Sequence, residues 1–487
     1  MEKRMGILRR IAAGVLTLLV ASSALYASGF NNTGVGSKAR AMGGAFRAVA
    51  DDWSAAYYNP AGYAFIYDNL VGGSLGFLHH RNELIPDYTY GGTFETGYFN
   101  GRTMYNKHEI LNLPSAGIML RVPAWNDMAI GLSAFQPFDN NIEWTLFRPL
   151  DGYHTDSLQN AFPLDQFYNN LDVVAFQLTL AKAFKEETLA LGLGLQLLRA
   201  DLNFYDLYLR ENPVPGAISD RPRDRIVEHA KHSGNGWGFG LNFGLLYQVS
   251  EKMKVGLNAS LPFEITIDGE AWSIYYMPFN NELNNETQGS PENIFVNGDT
   301  RVLRPMFETK LKLPPTIGGG LSYQVSERLM VSLDASYTFW SEFEGFDFVY
   351  SDLRLVSPEP SFADFFNQNL SNPTEFNGAG RLALGASYVT SDVLTLLGGF
   401  SADQSANRDA IGFTPQFIDT GDKYGFNLGA LFDIQNWTVG VTQSYTHHPD
   451  LSISGLEDLD SDGIFDNVPG EYSAQTYETT FSVNYRF

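Results

Sequence analysis

The sequence predicts an all-β protein, a fourteen-stranded antiparallel transmembrane β-barrel. Two patterns in its 487 residues carry this prediction, namely long runs of alternating apolar and polar residues and connections that are short and long in strict turn. Charged residues make up only 18 % of the chain, fewer than the roughly one quarter typical of soluble proteins.

The alternation is longest between Trp237 and Ile267. Odd positions are apolar from Trp237 to Val249, and after a turn they are apolar again from Val255 to Ile267. A period of two indicates strands with one apolar and one polar face, and these runs are long enough for the ~9–11 tilted residues that cross a bilayer. Fourteen strands are predicted near 69–81, 111–122, 128–137, 171–184, 188–205, 235–249, 253–269, 307–324, 328–341, 378–389, 393–403, 423–434, 437–448 and 474–487.

The connections between these strands indicate an outer-membrane barrel. Short periplasmic turns alternate with long extracellular loops in such barrels, and ring closure leaves no strand edge unpaired in lipid. The last strand ends on the aromatic Phe487, which resembles the assembly signal of bacterial outer-membrane proteins. The short turns are at 123–127, 185–187, 250–252, 325–327, 390–392 and 435–436, and the long loops are at 82–110, 138–170, 206–234, 270–306, 342–377, 404–422 and 449–473.

Residues 1–27 have the layout of a secretory signal peptide, which predicts export. A basic segment precedes an apolar run from Ile11 to Val20, and small residues lead to cleavage after Ala27. The run is too short for a transmembrane anchor, which needs ~20 residues. A net charge of -23 disfavours nucleic acid as a partner, and the absence of cysteine excludes disulfides and thiolate chemistry.

Residues 28–68 do not alternate, are rich in glycine and alanine, and precede the first strand. They contain Ser28-Gly29-Phe30, a small-residue segment at 39–50, Asp51-Asp52 and Asn59-Pro60-Ala61-Gly62. This stretch resembles the hatch of the FadL/TodX family of outer-membrane fatty-acid and hydrocarbon transporters. The resemblance implies a fourteen-stranded barrel over 69–487 that is plugged by the hatch.

The resemblance also implies transport of long-chain fatty acids or aromatic hydrocarbons, captured at extracellular loops and passed through the barrel under control of the hatch. It places Gly29 and Phe30 near an apolar ligand pocket. Asn59, Pro60 and Ala61 are the predicted gating element, because Asn-Pro forms turns. The alternative is a static plug. In the family a kinked third strand opens a lateral exit, and Gly131 and Pro137 would permit one here.

Loops three and four, 206–234 and 270–306, supply the family's capture site. Aromatic side chains with a few basic groups suit the tail and head of a fatty acid. Arg221, Arg223 and Arg225 equally suit lipopolysaccharide phosphates or solvent. The candidate ligand-binding residues, besides Gly29 and Phe30, are Phe204, Tyr205, Tyr208, Arg210, Trp272, Tyr275, Tyr276 and Phe279.

Period-two alternation also predicts which charges line the lumen. These charges either pair with one another, or some of Lys310, Lys312 and Arg381 receive a ligand carboxylate. The predicted inward set is Glu264, Asp268, Lys310, Lys312, Asp334, Arg381, Glu478 and Arg486.

The last long loop has the oxygen spacing of a calcium site. Asp458, Asp460, Asp462 and Asp466 stand at positions 1, 3, 5 and 9 of the pattern, with a glycine at position 6. Position 12 is Pro469, and not the glutamate of an EF-hand. The two alternatives are a structural Ca²⁺ that stiffens the loop and a solvated acidic loop; no other cofactor is expected.

The sequence carries no serine nucleophile elbow, P-loop or zinc-protease motif, so we expect no enzyme. The expected partners are a hydrophobic small molecule, outer-membrane lipid and lipopolysaccharide, and the barrel is expected to be a monomer. Two alternatives stay open. One is a secretion-associated or structural barrel that carries protein cargo, and the other is a surface esterase or phospholipase barrel.

Overall fold

A computed structural model describes most of the chain. The described residues are 29–32, 34–87, 100–107, 110–147, 163–184, 188–217, 225–351, 363–366, 368–407, 414–420, 422–455, 457–459 and 466–487. The predicted signal peptide at 1–27 lies outside them, so that prediction is not tested.

Strands dominate the described residues and form one antiparallel sheet of twenty segments. They are β1 (Leu70–Pro86), β2 (Met104–Tyr105), β3 (Ile110–Val122), β4 (Met128–Trp144), β5 (Phe167–Phe184), β6 (Leu189–Arg210), β7 (Ile226–Ser250), β8 (Met253–Pro262), β9 (Ile265–Tyr276), β10 (Thr300–Leu303), β11 (Met306–Leu311), β12 (Thr316–Gln324), β13 (Leu329–Thr338), β14 (Gly345–Ser351), β15 (Leu370–Pro373), β16 (Ala379–Val389), β17 (Leu394–Asp403), β18 (Lys423–Ile434), β19 (Trp437–Ile453) and β20 (Gly470–Arg486).

These segments make a closed barrel with fourteen strands in its wall. The segments β8–β9, β10–β12, β13–β14 and β15–β16 each make one wall strand. Segment β2 pairs with the end of β1 on the side of β3, so it continues the wall strand of β3. The ring closes where β1 pairs with β20, from Leu70 opposite Arg486 to Pro86 opposite Gly470. The predicted fourteen-stranded antiparallel barrel is confirmed.

Helices are short in the part of the chain that the structure describes. None of them is long and apolar enough to cross a membrane. The α-helices are α1 (Ser37–Ala41), α2 (Ala55–Tyr58), α3 (Asn281–Glu286) and α4 (Ala363–Phe366), and the 3₁₀ turns are Pro60–Phe65, Pro123–Trp125, Pro291–Phe295, Trp340–Glu342 and Pro415–Thr420.

Residues 29–66 pack inside the barrel against its inner wall. Glycines in the wall let the hatch backbone approach closely: a Cβ atom at Gly192 would lie 2.2 Å from Ala61 N, and one at Gly399 would lie 2.1 Å from Gly43 N. The aromatic side chains of Trp53, Tyr58 and Tyr63 are buried between hatch and wall. The hatch segment therefore fills the lower part of the lumen, near the short-turn end.

The inner and outer faces of the wall exchange polarity along the barrel axis. Midway along β5 and β6, Leu178 and Leu195 are exposed on the outside, and Gln177 and Gln196 are buried inside. Towards the long-loop end, the inward side chains become apolar and the outward ones become polar. The inward apolar set there is Leu171, Val173, Ala200, Leu202, Phe204, Ile265, Ile267, Phe307 and Leu311, and the outward polar set is Asn170, Asp172, Arg199, Asp201, Asp268, Glu308 and Lys310.

This exchange corrects part of the predicted lumen lining. Glu264, Asp268, Lys310 and Lys312 are on the outer face, where Lys310 pairs with Glu264 and Lys312 pairs with Glu344. The alternation changes sides at the break between β8 and β9, after which Ile265 is buried inside. The prediction was wrong because it assumed that the apolar face of every strand contacts lipid, whereas the apolar face of β9 and β11 lines the lumen.

The other predicted inward charges divide differently. Asp334, Arg381 and Glu478 line the interior as predicted and contact the hatch or its neighbours. Arg486 is exposed at the end of β20.

Candidate functional site

The hatch places one aromatic ring at the centre of an aromatic cage. The ring centroid of Phe30 lies 4.8 Å from that of Trp340, 5.0 Å from Phe343, 5.9 Å from Phe417 and 6.1 Å from Phe138. All five side chains are buried. The four rings around Phe30, which we call the aromatic cage, come from β4 and from two long loops.

A second group of rings extends the cage towards the long-loop end. Phe204 lies 5.3 Å from Phe346 and 5.8 Å from Phe348, and Phe376 lies 5.6 Å from the cage ring Phe343. The buried side chains Ile265 and Ile267 belong to the same cluster. This part of the lumen is a large apolar interior inside a wall whose outer surface is polar.

Three contacts hold Phe30 in the cage. Gly29 lies flat on Trp340, and a Cβ atom there would be 2.1 Å from the indole ring, so only glycine fits. Lys423 Nζ donates a hydrogen bond to Gly29 O at 3.1 Å. Asn31 forms a β-bridge with Phe138, and Asp139 N donates to Phe30 O at 3.0 Å.

The wall itself is incomplete beside this segment. Strand β3 pairs with β4 only between Ala116–Val122 and Met128–Ala134. Beyond Ala134, β4 has a bulge between Phe135 and Phe138 and continues in register with β5 alone. The segment that precedes β3 meets β4 where Lys107 N donates to Glu143 O at 2.9 Å. We call the stretch between these two contacts the wall gap.

The amino-terminal segment occupies the inner side of the wall gap. Asn32 N donates to Pro137 O at 2.9 Å, and this bond together with that from Asp139 N to Phe30 O forms the bridge between Asn31 and Phe138. Pro137, one of the two residues that would permit a kink, is therefore in the irregular part of the third wall strand, β4. Gly131 is not, since it pairs regularly with Met119 and Thr179.

Ion pairs fix the rest of the hatch to the wall. Arg40 pairs with Glu478, and Arg47 pairs with Asp334 at 3.3 Å, with these side chains largely buried. Asp334 also accepts hydrogen bonds from the backbone N–H groups of Phe46 and Arg47. The body of the hatch is thus held by more contacts than residues 29–32.

The predicted gating residues are an anchor in this structure. Asn59 Nδ2 donates to Arg47 O and to Leu245 O on β7, and Asn59 Oδ1 accepts from Ala61 N at 3.2 Å. Pro60 is the first residue of a 3₁₀ turn, where its missing N–H costs nothing. These contacts tie the turn to the wall.

The predicted ligand-binding residues divide between the cage and the upper wall. Gly29, Phe30 and Phe204 lie in the aromatic cluster. Tyr205 faces outward, where it packs on Tyr168 and under Lys231. The segments 206–210 and 226–234, predicted as loop, are extensions of β6 and β7.

Arg210 is not available as a simple head-group receptor, because it forms a buried ion pair with Glu228. Its Nη1 also donates to Gln368 Oε1 at 2.7 Å. Tyr208 is buried nearby and accepts a hydrogen bond from Asn372. Arg225 donates to Leu209 O at 2.8 Å, and Arg221 and Arg223 lie outside the described residues.

Trp272, Tyr275 and Tyr276, predicted in loop four, are in strand β9, and like Phe279 they lie away from the cage. Tyr275 packs with Phe295 and Phe366 in a separate cluster above it, and Tyr276 joins another upper cluster. Trp272 is exposed beneath Arg304, and Phe279 is half-buried and bridges to Asn297. The end of β9 and the loop that follows it therefore form part of a cap at the long-loop end.

Trp340, Phe343, Phe376 and Phe417 were not among the site residues predicted from the sequence. A signal was present for Trp340 and Phe343, because residues 339–348 are dense in aromatic side chains. Phe376 and Phe417 lie elsewhere in the chain, and only the folded chain brings Phe417 to Phe30.

One carboxyl group above the cage is buried. Asp206 lies on the extension of β6 beyond the apolar outer belt, and its oxygens accept hydrogen bonds from Leu207 N and Asn372 Nδ2. Burial nevertheless raises the pKa of Asp206 to about 7.

The predicted calcium loop is only partly described. Asp460 and Asp462 lie outside the described residues, while Asp466 accepts a hydrogen bond from Leu459 N at 2.7 Å. Elsewhere in the described chain, no group of three or more acidic or histidine side chains is placed to hold a metal ion. The calcium site stays a prediction.

The closed barrel with an apolar interior defines the chain as an outer-membrane transport barrel. Residues 15–487 match the family model described as outer membrane protein transport protein (OMPP1/FadL/TodX), and the chain belongs to this family. It is a protein of the bacterial outer membrane, in a family of transporters for hydrophobic substrates.

Relatives and solved structures agree with this assignment. The chain is 23 % identical to outer membrane protein P1 of Haemophilus influenzae over 66 % of each chain, and 27 % identical to the long-chain fatty acid transport protein of Escherichia coli K12 over 49 % of each. It thus spans about half to two thirds of these relatives. A FadL homologue from Pseudomonas aeruginosa has the same fold, with a TM-score of 0.72 at 17 % identity over 94 % of this chain and 100 % of that one. The toluene transporter TodX of Pseudomonas putida gives 0.63 at 14 % identity over 93 % and 99 %.

Proposed function

We propose that this protein takes up hydrophobic small molecules, long-chain fatty acids or aromatic hydrocarbons, by binding them in the aromatic cage in place of Phe30. The burial of Phe30 among four rings carries this proposal. A side chain that fills an apolar site can be exchanged for a ligand of similar surface, because both lose contact with water. The names of the fatty-acid and toluene transporters among the relatives support the same substrate range.

The moving part is the segment 29–32, and the hatch body stays in place. Residues beyond it are held by the buried ion pairs of Arg40 and Arg47 and by Asn59. Phe30 itself contributes about 1.5–3 kcal/mol of burial free energy, which a ligand replaces as it enters. Moving residues 29–32 therefore costs little free energy, whereas expelling the whole hatch costs much more.

Withdrawal of the segment also opens the wall gap. Residues 30–32 cover the free edge of β4, so their departure exposes the opening between β3 and β4. A groove of about 770 Å³ continues on the outer face, with Ala116 and Ala134 at its upper end. We propose lateral release through this gap into the membrane.

The proposed function also covers catalysis, oligomeric state, lipopolysaccharide contact and calcium binding. The protein acts without catalysis and as a monomer, Arg221 and Arg223 contact lipopolysaccharide, and the acidic last loop binds Ca²⁺ as a structural ion. A barrel for protein cargo is less well supported, because the interior near Phe30 is packed and apolar.

A reversible disulfide tests the proposal directly. The chain has no cysteine, so Asn31→Cys with Phe138→Cys creates one pair across an antiparallel bridge. We expect uptake of oleate or toluene by whole cells to stop when this variant is oxidised and to return on reduction. The single variants are the controls. Uptake that is insensitive to oxidation would refute gating by this segment.

A further inference from the structure

Asp206 joins the two long loops that complete the aromatic cage. Its Oδ2 atom accepts a hydrogen bond from Asn372 Nδ2 at 2.7 Å, and its side chain is also hydrogen-bonded to that of Gln416. Its Oδ1 atom accepts a hydrogen bond from Leu207 N at 2.7 Å, within strand β6. One carboxyl group of the wall is thus bonded to both loops.

Each of these loops has a cage ring close to its contact with the wall carboxyl group. Gln416 directly precedes the cage ring of Phe417 in the chain. Asn372 is two residues before Thr374, whose Oγ1 atom donates a hydrogen bond to Phe343 O at 3.2 Å. Separation of either loop from the carboxyl group would therefore move a ring of the cage.

Asp206 has no ion-pair partner in the part of the chain that the structure describes. Its side chain is 7 % exposed, and its hydrogen-bond donors are neutral: one backbone N–H group and two side-chain amides. Farther along the same face of β6, Arg210 is already paired with Glu228. Burial of an ionised carboxylate without a counterion is unfavourable, so the closed packing favours the neutral carboxyl group.

The two amides have free acceptors for the proton of a neutral carboxyl group. Asn372 Oδ1 and Gln416 Oε1 are buried and have no hydrogen-bond partner among the described residues. Buried polar atoms without partners are rare in folded proteins. A neutral Asp206 carries one O–H donor, and rotation of either amide would bring its oxygen to that donor. The three side chains therefore form a site for one proton.

Other ionisable side chains line the interior around Asp206. The tyrosines are Tyr208 on β6, Tyr275 on β9 and Tyr350 on β14, and burial raises their pKa values above the ordinary 10. On β7, burial lowers the pKa of His232 to about 3. These four side chains therefore stay neutral between pH 5 and pH 8.5.

We propose that Asp206 is a positioning residue that couples proton binding to the opening of the aromatic cage. The neutral carboxyl group keeps both loops against β6. Ionisation favours their separation, because water then reaches the carboxylate. This inference rests on the proposed function, since it assigns the group that controls the entry of a hydrophobic ligand.

The direction of the effect follows from the burial of Asp206 in the closed cage. Burial raises the pKa of this carboxyl group from an ordinary 3.8 to about 7. The preference of the protein for the closed cage is therefore fully present below pH 3.8, and it is lost as the pH rises through about 7.

The rate of ligand entry as a function of pH tests this coupling. Association of dodecylbenzene, which has no ionisable group, is followed by stopped-flow tryptophan fluorescence on the purified protein in dodecyl maltoside. We expect the wild-type rate to rise between pH 5 and pH 8.5 by about tenfold to a hundredfold, the upper value applying when the carboxylate of the open state is fully hydrated. Asp206→Asn resembles the neutral carboxyl group and should keep the low rate at both pH values.

Two further variants sharpen the result. Gln416→Met keeps an unbranched side chain and removes the amide, so it detaches one loop from Asp206. The loss of one hydrogen bond should raise the association rate at pH 5 by at least about threefold. Asp201→Asn changes an exposed carboxylate on the outer face of β6 and should keep the wild-type pH profile.

The outcomes separate the two proposals. A wild-type rate that does not change with pH, or a pH dependence that persists in Asp206→Asn, overturns the role of Asp206 and leaves hydrophobic uptake standing. If Asp206→Asn does not assemble, an unchanged rate at pH 5 in Gln416→Met overturns that role. Absence of dodecylbenzene association with the wild-type protein at every pH overturns both proposals.

Discussion

Trp340 packs edge to face against Phe30 at 4.8 Å, and the same indole ring leaves no space for a side chain at Gly29. One residue of the loop between β13 and β14 therefore fixes both the position of the gating ring and the identity of the residue before it. This arrangement makes the closed state sensitive to a single methyl group.

Gly29→Ala should release the amino-terminal segment. Its Cβ would lie 2.1 Å from the Trp340 ring, which packs tightly among other rings, so the segment has to move. We expect a maleimide to label Asn31→Cys at least about fivefold faster in the Gly29→Ala background. Even a modest loss of closed-state stability raises the population of the open, reactive state by that factor.

The matched control for this variant is Gly398→Ala. A Cβ there would be 3.9 Å from Leu428, an ordinary contact, so labelling of Asn31→Cys should not change. Equal labelling rates in the two backgrounds would show that Trp340 does not hold the segment.

Phe30→Ala should strengthen the binding of apolar ligands. The wild-type ligand has to displace a buried phenyl ring, and removal of the ring leaves the cage ready for occupation. The burial free energy of one such ring, about 1.5–3 kcal/mol, predicts about a tenfold to hundredfold gain for dodecylbenzene, measured by equilibrium dialysis.

Phe77→Ala is the control, because Phe77 is on the outer, half-exposed face of β1. If Phe30→Ala instead weakens dodecylbenzene binding, Phe30 is part of the ligand's contact surface and does not compete with it.

The sequence was sufficient to predict the barrel but not the arrangement of side chains in its interior. Alternation and loop lengths depend only on local residues, and they predicted fourteen strands and the closure of β20 onto β1. The same alternation at Ile265 and Ile267 shows that one face is apolar, but it does not show whether that face meets lipid or an apolar lumen. Lys310 was assigned to the wrong side for this reason.

The site could be predicted in part. Gly29 and Phe30 were placed near an apolar pocket from the resemblance of the hatch, and they lie in the aromatic cluster. The rings that surround them come from residues that are far apart in the chain, at Phe138, Trp340 and Phe417. No local pattern reports that such distant loops converge inside the barrel.

The buried ion pair of Arg210 and Glu228 should contribute far more to the stability of the barrel than the exposed ion pairs do. Glu228→Gln leaves the Arg210 charge buried without its counterion, which costs about 3–5 kcal/mol. We expect a clearly lower temperature for the heat-dependent mobility shift of the barrel on gels. Glu264→Gln breaks the exposed pair with Lys310 and should cost less than about 1 kcal/mol. Similar shifts in the two variants would contradict the buried pairing.

Asp206 should make the barrel less stable at high pH. Its pKa in the folded protein is about 7 against an ordinary 3.8, so the folded state favours the neutral carboxyl. The contribution of the neutral Asp206 carboxyl to the free energy of unfolding is fully present below pH 3.8. It is lost as the pH rises through about 7. The difference between the two pKa values corresponds to at most about 4 kcal/mol.

Asp206→Asn keeps the shape of this side chain and removes its ionisation. We therefore expect the unfolding temperature of the wild-type barrel to fall between pH 5 and pH 8.5 by more than that of Asp206→Asn. The control is Asp201→Asn, at an exposed carboxylate that pairs with Arg199 on the outer face, which should retain the wild-type slope. A wild-type slope that persists in Asp206→Asn would mean that another group causes the pH dependence. Because Asp206 bonds to Asn372, next to the rings above the cage, loss of this slope would also locate the pH-sensitive part of the barrel at its extracellular end.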